Sequence, residues 1–91
     1  MYKLNVSKEC EKIFFKLARK NPKRLDIIDK KILEIRSNPF HEYKSLRAPL
    51  NGLYRVHIDK HFVMVFRIDH ENLTVNIVRY EHHDKAYFCD R

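Results

Sequence analysis

Apolar and polar positions along the chain fall into six periodic segments. Tyr2, Leu4 and Val6 alternate with Lys3 and Asn5, the period of a short half-buried strand. Ser7 follows as a helix N-cap, with Glu9 and Glu11 in the first turn, where the helix dipole favours acids. Cys10, Ile13, Phe14, Leu17 and Ala18 then recur at helical spacing and predict one apolar face of a helix ending near Lys20. Lys8, Lys12, Lys16 and Lys20 stack on its other side, the usual pattern of a solvated face. Asn21-Pro22 restarts the chain, Asn as cap and Pro at the first helical position, where its missing N–H costs nothing. Leu25, Ile28, Ile32 and Ile35 carry a second helical stripe, widened by Ile27 and Leu33, until Asn38-Pro39 stops it. So short a turn between two helices predicts an antiparallel hairpin.

From Phe40 to Asn51 the periodicity lapses between Pro39 and Pro49. Gly52, the one glycine of the chain, is expected where the backbone needs a positive φ. Three β-rich segments follow, Leu53–Asp59, Phe62–Asp69 and Leu73–Tyr80, separated by connections of hairpin length. The expected fold is therefore α+β: an N-terminal strand, a two-helix hairpin, then an antiparallel β-meander with the helices packed on one sheet face. No repeat, linker or low-complexity segment interrupts residues 1–91, so a single domain is expected.

Composition adds direction to this picture. The 44% apolar and 34% charged residues describe an ordinary globular chain. The longest apolar run, Phe62–Phe66, is far short of the ~20 residues of a membrane span, and the N-terminus has no apolar signal segment. Cys10 and Cys89 make neither a disulfide framework nor a zinc-binding spacing, which fits a reducing, cytoplasmic compartment. The net charge of +7 lies entirely in residues 1–50, which hold 13 Lys/Arg against 6 Asp/Glu. Residues 51–91 balance 6 against 6 and carry five of the six histidines. A basic half suits a polyanionic partner, and a histidine-rich half titrates where proton transfer or metal binding becomes available.

Strand parity sorts the candidate chemistry. Tyr54, Val56 and Ile58 share one face and should meet the helices, which leaves Arg55 and His57 together on the open face. An arginine beside a histidine can hold a phosphate next to a titratable group; the plainer reading is a wet sheet face. The segment Tyr80-Glu81-His82-His83-Asp84-Lys85-Ala86-Tyr87 is the densest titratable patch. It reads as an inert tail, as a metal site of His82, His83 and Asp84 with His57 and His61, or as acid–base chemistry on RNA. Adjacent histidines on a strand point to opposite sides, which weighs against the metal.

These residues also resemble a known family. The order Lys44-Ser45-Leu46-Arg47, Gly52-Leu53-Tyr54-Arg55-Val56-His57-Ile58, Val63-Met64-Val65-Phe66 and His83-Asp84-Lys85-Ala86-Tyr87 is similar to the RelE/ParE superfamily of toxin–antitoxin toxins, over essentially the whole chain. The resemblance implies the same α+β fold. Through the RelE-like branch, it implies a ribosome-dependent endoribonuclease that cuts mRNA in the decoding site and inhibits translation without a cofactor. An acidic, RelB-like antitoxin in a toxin–antitoxin hetero-oligomer is implied as partner. In that likeness His57 and His83 match catalytic histidines of the YafQ-like and YoeB-like branches, Arg55 and Arg47 match phosphate-binding positions, and Tyr87 matches a C-terminal tyrosine. Lys44 falls near another functional position, and His61 stands where the YafQ-like branch has an acid. Val63 replaces an arginine of the RelE-like pattern.

RNA cleavage by its own 2′-OH needs a base for that proton, cations for the phosphorane and an acid for the 5′-oxygen. Arg47, Arg55, His57, His83 and Tyr87 on one surface would supply every part without a metal, with Tyr87 also able to stack on a base. The alternative is a ParE-like toxin that inhibits DNA gyrase by binding, which has no need of His57, His83 and Tyr87. A third reading is a member that serves only as an antitoxin-bound module.

Overall fold

Ser7 ends strand β1 (Lys3–Val6) and caps helix α1 (Lys8–Lys20) in the computed structural model, which describes residues 1–46 and 52–82. Its extended backbone leaves the hydroxyl oxygen to accept from the Cys10 N–H at 3.2 Å, satisfying one orphan donor of the first turn. Asn21 serves two helices: its N–H closes α1 on the Leu17 carbonyl, and its side chain accepts from Arg24 N–H to start α2 (Pro22–Ser37). Beyond α2 come β2 (Lys44–Ser45), β3 (Tyr54–His57), β4 (Phe62–Asp69) and β5 (Thr74–His82). The strands form one mixed sheet in the order β1-β5-β4-β3-β2. β2 to β5 are mutually antiparallel, while β1 runs parallel to β5, pairing Lys3 with Thr74 and Val6 with Ile77.

Helix packing follows the apolar stripes. Cys10, Ile28, Ile32 and Ile35 are buried against Met64, Phe66, Val75, Ile77 and Tyr80, with Ile13, Phe14, Leu17 and Leu25 half-buried around them. The stripe on α2 is narrower than its sequence suggests. Ile27 and Leu33 are exposed, because a sheet meets only one side of a helix and these two lie beyond it; Ala18 and Phe15 of α1 are exposed in the same way. Two elements depart from the expected order. The two-residue β2 pairs with β3 inside the stretch without periodicity, and β5 runs on to His82 rather than ending at Tyr80.

The main irregularity is a β-bulge in β5. Met64 faces Tyr80 and Val65 faces Arg79, but Phe66 faces Ile77, so Val78 is the additional residue. Strict alternation would put Val75, Ile77 and Arg79 on one face. The bulge shifts the phase, so that Val75, Ile77 and Tyr80 all enter the core and Arg79 and Glu81 leave by the other face. The Ser7 hydroxyl donates to the Val78 carbonyl at 3.1 Å and so ties the bulge to the start of α1.

Gly52 has the expected positive φ, +94°. Nothing lies within 4 Å of where its Cβ would stand, so the backbone and not crowding calls for glycine there. Among the described residues no helix is long and apolar enough to cross a membrane.

Candidate functional site

The face of the sheet turned away from the helices carries a row of cations. Lys44 of β2 stands directly opposite Arg55 of β3, Arg55 opposite Val65 of β4, and Val65 opposite Arg79 of β5. With strands ~4.8 Å apart, three cations spread across four strands fall within about 15 Å. Lys44 and Arg55, directly opposite one another, together present positive charge to an anion. The next row sets His57 opposite Val63, and Val63 opposite Glu81. His57 is exposed, as are Lys44 and Arg79, whereas Arg55 is half-buried.

This face is not simply wet. Val63 and Val65 are 0% and 5% exposed, and Leu46 is 6% exposed, although none of the three belongs to the core cluster under the helices. The valines form an apolar floor between the charged side chains. Over such a floor an ion–ion attraction is screened less than in open water.

Arg79 is the residue that sequence reasoning missed. Counted by alternation from Val75 and Ile77 it belongs to the core face, and only the bulge at Val78 brings it beside Arg55. The available signal was an arginine that no core could accept unpaired. Glu81 sits two residues on, with its carboxylate 3.6 Å from the Arg79 guanidinium, a loose pairing that holds Arg79 over the sheet.

Other candidates fall elsewhere. His61 lies in the β3–β4 turn, where its ring stacks on that of His82, 6.1 Å between centroids. His82 leaves the face opposite to His57, since its partner Phe62 packs towards the helices. The structure therefore brings together Lys44, Arg55 and His57 but not His61, and it parts His57 from the His61–His82 pair that the metal reading joined to it. Arg47, His83 and Tyr87, with Asp84 of the metal reading, lie outside the described residues. Among the described residues no three His, Cys, Asp or Glu side chains converge as a metal site.

The turn that follows His57 is held by Asp59. Its carboxylate accepts from the His61 N–H at 2.8 Å and from Arg24 Nε of α2 at 3.1 Å. The His61 N–H is the main cause that lowers the Asp59 pKa, with Arg24 adding to it against some desolvation. Arg24 also lies over the Phe62 ring, 4.3 Å from its centroid, and Phe62 stacks on Tyr80. Burial pushes the Tyr80 phenol up to about 12, so it stays neutral at any physiological pH.

The sequence pattern of the family described as ParE toxin of type II toxin–antitoxin system, parDE, matches residues 2–87. An uncharacterised protein of Methanosarcina mazei is 55% identical over 87 residues, spanning 96% of this chain and 100% of that one. A toxin candidate of Methanocaldococcus jannaschii designated RelE4 is 48% identical over 87 residues, spanning 96% of this chain and 92% of that one. Among solved structures, a YoeB/ParE toxin from Agrobacterium tumefaciens superposes with a TM-score of 0.80 at 15% identity, covering 89% of this chain and 98% of the other. A chain of the RelBE2 toxin–antitoxin complex from Mycobacterium tuberculosis superposes at 0.73 with 24% identity, covering 90% and 98%. At those identities the structural likeness concerns the fold.

Proposed function

Because the chain belongs to the ParE toxin family of type II toxin–antitoxin systems, we propose that it is a one-domain toxin that cuts mRNA on the ribosome. The observation that carries this reading is the row of Lys44, Arg55 and Arg79 with His57 on the same sheet face. Binding alone would use the cations; a titratable imidazole beside them suits proton transfer.

In this reading the scissile phosphate lies over Val65, with Arg55 and Arg79 on its two sides and Lys44 beyond. Arg47 completes the positive field that stabilises the in-line phosphorane. His57 takes the 2′-OH proton or holds the phosphate, and His83 protonates the departing 5′-oxygen. Tyr87 stacks on a neighbouring base. Arginine and lysine supply the charge, so the reaction calls for no metal or cofactor. The ribosome fixes the mRNA in line for attack; positioning of this kind lowers a barrier by ~7–11 kcal/mol. An antitoxin partner, as in the RelBE2 toxin–antitoxin complex, would on this reading be acidic and neutralise the basic surface.

The description of the matching family as ParE favours one second reading, a toxin that inhibits gyrase by binding. Expression with and without the partner gene, followed by mapping of mRNA 5′ ends, separates the two. Cuts inside translated codons are expected. Growth arrest with intact mRNA and a DNA-damage response would overturn the nuclease reading.

A further inference from the structure

Phe40 is apolar, yet 79% of its surface is exposed. Its ring is not loose: it lies parallel to the His70 imidazole at 4.6 Å, with the Tyr2 ring edge-on to both. The Tyr2 hydroxyl and His70 Nδ1 are hydrogen-bonded at 2.9 Å, which fixes the imidazole plane. The β4–β5 turn carrying His70 is itself held by Asp69, whose carboxylate accepts from the Asn72 side chain at 2.7 Å and from the Glu71 and Asn72 N–H groups. On the other side, the His41 N–H and the Tyr43 hydroxyl both donate to the Asn38 carbonyl and tie the Phe40 turn to the end of α2.

Beside this stack opens a recess of about 230 Å³. Five of its walls are rings: Phe40, His41, Tyr43, Tyr54 and His70. Flexible methionine side chains are the usual lining where an apolar helix face is received. Here the walls are planar and fixed, which suits a planar guest. Glu42 on the rim disfavours a phosphate inside the recess and leaves a carboxylate that can accept from an exocyclic amine. The chain as a whole attracts polyanions through its charge of +7. Tyr43 and Tyr54 pack on Phe66 of the core, so this recess lies on the helix side of the sheet, opposite the Arg55 face.

We propose that Phe40 and His70 form a ledge on which an unpaired base of RNA stacks, a second RNA contact separate from the Lys44–Arg55–Arg79 row. It extends the RNA-directed reading above but does not depend on cleavage. RNA held at both faces of the sheet would orient the toxin on a structured RNA rather than merely attract it.

The test uses the full chain and a short single-stranded RNA carrying 2-aminopurine, whose fluorescence falls when it stacks. Phe40→Ala is expected to weaken binding about 5- to 150-fold, the span that follows from ~1–3 kcal/mol per base–aromatic stack. Phe40→Trp should restore it. Phe40→Leu separates a π face from mere apolarity: it should bind as poorly as alanine. Leucine binding as well as phenylalanine would overturn the proposal. Photo-crosslinking of a 4-thiouridine RNA should label Phe40 or His70; labelling confined to the Lys44–Arg55–Arg79 row would overturn it. The Arg55→Ala/Arg79→Ala double variant distinguishes the two readings. Quenching that survives in this variant supports the ledge even if cleavage never occurs, and quenching that vanishes with the arginines refutes it.

Discussion

Ser7 is a single hydroxyl with two duties, and its replacement gives a graded prediction. Its oxygen accepts from the Cys10 N–H and caps α1, while its hydrogen goes to the Val78 carbonyl at the β5 bulge. Losing a serine N-cap costs ~0.5–2 kcal/mol. Losing a partner for a part-buried carbonyl adds ~0.5–1.5 kcal/mol, the net worth of an ordinary hydrogen bond. Ser7→Ala should therefore destabilise the fold by about 1–3.5 kcal/mol. Ser7→Thr keeps both bonds and should stay within about 0.5 kcal/mol of the parent. Ser7→Asp keeps the cap but cannot donate, and sets a carboxylate against a carbonyl 3.1 Å away. It should lose at least the second part, about 1 kcal/mol, despite a more favourable charge at the helix N-terminus. Urea denaturation, analysed at a common m-value, reads all three. The bulge aims Arg79, so Ser7→Asp should also weaken binding of single-stranded RNA more than Ser7→Thr does. An aspartate variant as stable as the parent would refute the link between cap and bulge.

Four further outcomes follow from the structure. Arg79→Ala should lower mRNA cleavage on programmed ribosomes about 10-fold or more, the loss expected for one charge-assisted contact of ~1.5–3 kcal/mol; unchanged primer-extension products would remove Arg79 from the site. Asp59 has a lowered pKa in the folded state, so its contribution is present above the unfolded carboxylate range near pH 4 and is lost as pH falls through the lower, folded value. Asp59→Asn should accordingly flatten the stability loss below about pH 4 relative to the parent, and an unaltered acid limb in urea midpoints would count against this. Gly52→Ala should destabilise by about 1 kcal/mol, because alanine is strained at φ +94° even though space is open there. The Cys10 thiol is 0% exposed and its pKa is raised by burial, so iodoacetamide followed by peptide mapping should leave Cys10 unmodified until denaturant is added.

The helices were legible because each repeats its period several times, and β4 and β5 because they are long segments rich in β-branched and aromatic residues. Four residues of β1 with alternating polarity sufficed to locate that strand, but not to orient it; its parallel run beside β5 follows from how the helix hairpin returns the chain. β2 was illegible because two residues cannot display a period. Ile27 and Leu33 misled because helical spacing states which residues share a side, not how wide the partner surface is. At the candidate site, Arg55 and His57 were placed together by parity alone. Arg79 was not, since a bulge is chosen by the packing of Tyr80 and Ile77 on the core and has no signature in the alternation.

The pairing of β1 with β5 also governs when the molecule comes into being. Lys3 must wait for Thr74, a partner 71 residues further along the chain. While the chain emerges, β1 has no neighbour, and β4 exposes the run Phe62–Phe66 as an unpaired edge. Closure of so distant a pair makes folding slow compared with a helical domain of the same length. Neither the cation row, which needs Arg79, nor the bulge fixed by Ser7 exists before β5 is synthesised. On the reading proposed above, a partly made chain would lack the site that acts on the ribosome. Its exposed strand edge during that interval is the moment at which a partner already present would capture it most readily.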